Sequence, residues 1–329
     1  MAGVYLRVGC LPLLLLGASL GKAVQLHVAD DRVAIPVRPR PTTAAGSDDP
    51  APLVRIDSSL VLVPVHVTNA AGGTVTGISR DCFHLLEDNT EQKIASFFTE
   101  DTPVSVGLLF DASGSMRPKM RKAAEAAEAF FRAVNPSDEF FLVEFNDRAR
   151  LAVPFTRDSS EVYNEIVRTR PMGRTSLIDA VYLATAQMKK AHCPRKALVI
   201  FSDGGDNWSR HSVREIRNAL LESDVQVYAM GIFDQDYEHN HPVEERNGPA
   251  LLDELTTLTG GRHFPVEELE QLPAISERIG RELHSQYMLG YYSTNSTRDG
   301  KYRQVKVILE LPNASELHTS YRRGYFGPQ

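Results

Sequence analysis

Residues 53–98 run as short apolar stretches broken by turn residues. Leu60, Leu62, Pro64, His66 and Thr68 interleave with Val61, Val63, Val65 and Val67, the period of two that marks a strand. Ala71-Gly72-Gly73 and Asp88-Asn89 read as turns, with further short strands at 75–78, 83–87 and 92–98. From Val104 the period changes. Strands at 104–110, 140–145, 149–155, 197–201, 225–232 and 262–265 are interspersed with amphipathic helices at 119–134, 160–168, 177–190, 213–222, 249–259 and 267–286. The run ALVIF at 197–201 is apolar without alternation, as a central parallel strand covered on both faces requires. Repeated βα units predict an α/β fold with an open, doubly wound, mostly parallel sheet.

After residue 286 the pattern returns to strands, at 287–292, 302–311 and 320–326. Neither this segment nor residues 53–102 can build a secure core alone. Their shared need for burial predicts one β-sandwich made from both flanks, with the α/β domain of residues 103–286 inserted between them.

The first residues carry an address. Arg7 gives a positive start, Leu11 to Leu20 an apolar run too short to span a bilayer, and Gly21 or Ala23 a small residue for cleavage. Residues 1–23 therefore read as a secretory signal peptide and 24–52, rich in Pro and Ala, as a flexible leader. The implied location is secreted or periplasmic, with no integral membrane span after cleavage.

Composition narrows the class without choosing a function. The chain has 329 residues, 42% apolar and 24% charged, with 36 Lys and Arg against 42 Asp and Glu. Its net charge of −6 becomes −8 once Arg7 and Lys22 leave with the signal. Nucleic acid is thereby disfavoured as a partner. Cys10, Cys82 and Cys193 are too few for a disulfide scaffold, and Cys82 and Cys193 read as unpaired, partly buried thiols.

The candidate chemistry sits where the predicted sheet should open a crevice, beyond the carboxyl ends of its strands. Asp111-Ala112-Ser113-Gly114-Ser115 follows the first α/β strand directly. Gly173-Arg174-Thr175 precedes a helix, and Ser202-Asp203-Gly204 follows ALVIF. Asp111, Ser113, Ser115, Thr175 and Asp203 thus offer five oxygen side chains from three loops, a donor set for a hard cation such as Mg²⁺.

This set, with Thr175 in GRTSLIDA and Asp203 in FSDGGDN, resembles the metal-ion-dependent adhesion site (MIDAS) of von Willebrand factor A (VWA) domains over about residues 103–286. The flanks resemble those of exported bacterial VWFA-related domain proteins of the acidobacterial type. LVLVPVHVTNAAGGTVTGISRDCFHLLEDNTEQKIASFF stands on one side, QYMLGYYSTNSTRDGKYRQVKVILELP and SYRRGYFGP on the other. The resemblance implies that Ser113, Ser115 and Thr175 ligate directly and that Asp111 and Asp203 do so directly or through water. Neutral hydroxyl ligands leave the cation under-neutralised, so it attracts an Asp or Glu of a partner protein. Mg²⁺ is implied, with Mn²⁺ and Ca²⁺ compatible. The expected function is an exported adhesion or scaffolding module and not an enzyme.

Two alternatives stay open at this level. The metal could serve only to order loops in a structural protein. A hydrolase is the other, but a nucleophile elbow would read GxSxG where this chain has DASGS, and no general base stands out. Asp206 reads as a solvated loop acid in preference to a further ligand, Asp179 as a support of its helix or loop, and Trp208, the one tryptophan, either as an exposed contact on the metal face or as packing against its loop. His239 and His241, with Glu244 and Glu245, fall in a stretch that reads as a polar loop rather than a second metal site.

Overall fold

The computed structural model describes residues 60–99, 102–233, 242–312 and 314–328, with side chains from residue 247 onward in the third stretch. The signal peptide, the leader, His239 and His241 lie outside them. Among the described residues no helix is long and apolar enough to cross a membrane.

β1 (Leu60–Asn69), β2 (Phe83–Glu87), β3 (Thr90–Gln92) and β4 (Ile94–Phe98) come from one flank. The other flank supplies β11 (Tyr287–Tyr292), β12 (Tyr302–Leu309), β13 (Leu317–Tyr321) and β14 (Gly324–Phe326). They form two four-stranded antiparallel sheets, β13-β1-β11-β4 and β14-β12-β2-β3, each mixing strands from both flanks. Leu60 pairs with Tyr292 and Val65 with Tyr287 across one seam, Glu87 with Val305 across the other. Val63, Val65, Val67, Leu85, Leu289, Tyr291 and Val305 fill the layer between the sheets. The alternation in β1 has a second consequence. Leu60 and Leu62 are exposed at its start, but His66 and Thr68 on the same face are buried, because the α/β domain covers that end.

Some sequence-level boundaries shift. Residues 75–78 are not a strand; Thr74 makes a lone bridge to Thr68, and the N–H of Val75 bonds the carbonyl of Val67. The single strand expected at 92–98 is two, β3 and β4, in different sheets. The one at 320–326 likewise splits into β13 and β14. A strand that passes from one sheet to the other must break its ladder, and hydropathy alone carries no mark of that crossing.

The α/β part contains β5 (Val104–Asp111), α1 (Met120–Ala133), β6 (Glu139–Phe145), β7 (Ala149–Thr156), α2 (Ser159–Arg168), α3 (Leu177–Gln187) and β8 (Arg195–Ser202). It continues through α4 (Val213–Glu222), β9 (Val225–Ile232), α5 (Pro242–Thr259), β10 (His263–Val266) and α6 (Leu272–Leu283). The six-stranded sheet runs β10-β9-β8-β5-β6-β7, parallel except for β7. ALVIF sends Ala197, Val199 and Phe201 to the face packed by α1, α2 and α6. Leu198 and Ile200 point to the face packed by α3, α4 and α5. Three helices differ from expectation. α3 ends at Gln187 and tightens into a 3₁₀ turn, Met188–Lys190. α6 starts at Leu272, after a 3₁₀ turn at Leu269–Gln271, and stops at Leu283. The backbone is already helical at Pro242, so Glu244 and Glu245 lie on a helix and not in a loop.

Candidate metal-binding site

β5 and β8 are adjacent, and β5 is the strand from which the chain order departs in both directions. Their carboxyl ends therefore carry the loops over the crevice. Asp111 is the last residue of β5, with no exposed surface, and Asp203 follows the last residue of β8. Ser113 lies at the start of a 3₁₀ turn, Gly114–Met116, yet its side chain makes no capping bond there. Its hydroxyl instead meets that of Ser115 at 3.0 Å, and its N–H donates to Asp111 Oδ1 at 2.9 Å. Capping does not account for the DxSxS sequence.

Two backbone bonds bring the Thr175 loop onto this turn. Gly114 N–H donates to the Gly173 carbonyl at 3.0 Å, and Met172 N–H to the Ala112 carbonyl at 2.8 Å. The third loop is tied to the second in the same way. Asn207 and Trp208 donate their N–H groups to the Thr175 carbonyl, and Thr175 N–H donates to Asn207 Oδ1, all at 3.0 Å. Gly205 lies between the donors. A Cβ there would stand at ordinary contact distance from two of the candidate donors, 3.4 Å from Asp203 Oδ1 and 4.0 Å from Thr175 Oγ1.

The electrostatics of the crevice are set by two neighbouring buried carboxylates, Asp111 and Asp203. Burial, then the negative charge of Asp203, pushes the Asp111 carboxyl up to about 7 against bonds from Ser113 and Ser202 that favour its ionised form. Ser202 Oγ donates to Asp111 Oδ2 at 2.5 Å while accepting Gly204 N–H at 3.0 Å. Asp203 Oδ2 is buried and has no hydrogen-bond partner. Among the described residues no group of three or more His, Cys, Asp or Glu side chains is arranged to hold a metal. The candidate set has two carboxylates and three hydroxyls, hard donors that fit Mg²⁺ and not a soft thiophilic ion.

The family model for the von Willebrand factor type A domain matches residues 106–205, a stretch that includes all five donors. The chain carries a von Willebrand factor type A domain. No curated protein matches the sequence. Among solved structures, the chain is similar to the conserved hypothetical protein BatB from Bacteroides thetaiotaomicron, at 17% identity and TM-score 0.42, over 55% of this chain and 100% of that one. It is similar to a von Willebrand factor type A protein from Catenulispora acidiphila at 11% identity and TM-score 0.47, over 84% and 76% respectively. The von Willebrand domain of the type V pili tip protein Mfa5 from Porphyromonas gingivalis aligns at 12% identity and TM-score 0.42, over 55% and 95%.

Around the five candidate donors of the VWA domain, other expectations resolve. Asp206 is not a solvated loop acid; its Oδ1 accepts Ile178 N–H at 3.2 Å and Ser209 Oγ at 2.5 Å, which fixes the start of α3. Asp179 supports the neighbouring loop, accepting from the N–H groups of Arg210 and His211 and bonding the His211 ring. Trp208 is 49% exposed, with the Arg174 guanidinium 3.9 Å above its ring. Cys82 and Cys193 are both free. Two polar contributors were not anticipated, Ser202 and Lys119. Ser202 was legible in principle as a hydroxyl at a strand's carboxyl end; nothing in MRPKM distinguishes Lys119 from a surface lysine.

Proposed function

We propose that this protein is an exported, metal-dependent binding module in which Asp111, Ser113, Ser115, Thr175 and Asp203 hold a divalent cation. Mg²⁺ is the preferred ion, with Mn²⁺ and Ca²⁺ compatible. The reading is supported above all by one observation: three loops at the carboxyl edge of the sheet are tied together, with Asp203 Oδ1 and Thr175 Oγ1 both beside Gly205 and Ser202 Oγ joining the third loop to Asp111. A bound dication there would supply an under-neutralised Lewis acid for a carboxylate of a partner protein. The hydroxyls contribute lone pairs without charge, and Ser202 holds the Asp111 carboxylate toward the turn. Beside the site the exposed side chains of Met172, Arg174 and Trp208 form a rim that suits an acidic residue flanked by apolar ones.

An adhesive or scaffolding role fits better than hydrolysis. The Ser113 hydroxyl is paired with another serine, while the histidines with described bonds are engaged elsewhere: His66 with Thr74, His84 with Glu91 and Glu310, His192 with Glu139, His211 with Asp179 and His284 with Asp138. Export rests on the 1–23 segment, with its positive start, short apolar run and small residue for cleavage. The test is binding of a fluorescent peptide with one Asp between apolar residues to the full chain. Binding that needs Mg²⁺, is lost with chelator and is lost when Asp is changed to Asn supports the reading. Binding indifferent to metal contradicts it.

A further inference from the structure

We propose that Lys119 is a fixed internal cation that keeps the metal site from neutralising its ion, so that tight metal binding depends on an anion from outside. The inference rests on the metal-site reading above. Lys119 stands just before α1 and is 1% exposed, although lysine is among the residues least often buried. Its Nζ lies 3.6 Å from Asp203 Oδ2 and donates to the Ile232 carbonyl at 2.8 Å, at the end of β9. The two Asp203 oxygens thus face different groups. Oδ1 takes the Gly205 N–H at 3.3 Å on the side of Thr175, while Oδ2, without a hydrogen bond, faces the ammonium.

The consequence is a matter of charge. Asp111 and Asp203 alone would neutralise a dication. With the lysine beside them the protein offers one net negative charge, and the assembled site stays cationic by one. In a buried setting this difference acts through a low effective dielectric and is not screened as it would be at the surface. A carboxylate arriving from a partner then completes the neutralisation. The same lysine anchors α1 to the end of β9, so the charge effect and the anchoring must be separated by sign. Losing an anchor loosens the loops and weakens metal binding; losing the charge strengthens it.

The test is isothermal titration of the full chain with MgCl₂, in chloride and in acetate, for wild type, Lys119→Met and Lys119→Gln. Glutamine keeps a donor for the Ile232 carbonyl while removing the charge. Both variants are expected to bind Mg²⁺ about tenfold more tightly than wild type in chloride, with a smaller gain from acetate. Variants that melt cooperatively but bind no more tightly overturn the proposal, and so does failure of both to fold, which would assign the lysine a structural role. A wild type that gives no Mg²⁺ binding in either buffer instead removes the metal-site reading on which the inference stands.

Discussion

The N–H of Gly114 donates to the carbonyl of Gly173 at 3.0 Å, joining the loop after β5 to the loop before α3. Gly173 has φ +79°, and a Cβ there would lie 2.6 Å from Asp147 Oδ2. Asp147 is itself held, accepting the Arg174 N–H at 2.8 Å. Only glycine meets this backbone without strain, which for an L residue costs about 1–2 kcal/mol before the clash is counted. Gly173→Ala is expected to weaken Mg²⁺ binding about tenfold while the cooperative thermal transition shifts by only a few degrees. Unchanged metal affinity would show that the two loops need not stay in register.

Ser202 gives a prediction of another kind. Its hydroxyl serves Asp111 Oδ2 and Gly204 N–H together. Ser202→Ala leaves a buried carboxylate short of a donor and a buried N–H without an acceptor, at a cost of about 1–3 kcal/mol. Chemical denaturation without metal should show this loss. Addition of Mg²⁺ should recover part of it, since a cation also stabilises the Asp111 charge.

The junction between the β-sandwich and the VWA domain carries a pH dependence. His66 Nδ1 lies 3.5 Å from Glu282 Oε2, but burial and the nearby Arg262 and Arg278 hold the imidazole down to about 3. The ring is therefore neutral at pH 7, and the contact is not an ion pair. An unfolded chain takes up this proton near pH 6.5, the native one only near 3, so between these values the native state binds fewer protons. Stability then falls as pH drops through that window, by up to about 1.4 kcal/mol per pH unit. Relative to His66→Gln, the wild type should lose stability steadily from pH 6.5 to pH 4 in chemical denaturation. Parallel curves for the two proteins would contradict the assignment.

Within the sandwich, Glu87 accepts from Tyr291 at 2.7 Å, Tyr325 at 2.7 Å and Ser293 at 2.5 Å, with Arg303 Nη1 at 3.6 Å. The Tyr291 bond crosses from one sheet to the other. Glu87→Ala strands the buried Arg303 charge and should cost about 3–5 kcal/mol, whereas Tyr291→Phe removes one bond and should cost about 1–2 kcal/mol. Equal losses for the two variants would show that the buried charge is not what matters.

The parts of this protein legible in its sequence are those governed by periodicity. ALVIF and the amphipathic repeat of α1 gave the central sheet and its covering layers, and the shortage of core in each flank pointed to a shared sandwich. The proposed donors were readable because Asp111, Thr175 and Asp203 each adjoin a strand or helix end. What hydropathy could not reveal depends on long-range partners. Lys119 is buried because Ile232 and Asp203, distant in sequence, come to meet it. The break between β3 and β4 exists because Gln92 pairs with Leu85 and Ile94 with Tyr291, in separate sheets. Asp206 caps α3 from a loop that reads as solvated.

The proposed metal site is tested most directly by calorimetric titration of the full chain with Mg²⁺, wild type beside Thr175→Val. Valine keeps the shape of threonine and replaces the hydroxyl with a methyl group, so the fold should survive and any change should report on ligation. The expected result is one ion bound per wild-type chain, with affinity reduced tenfold or more in the variant at an unchanged melting temperature. Equal affinity in both proteins, or no binding in either, would contradict it.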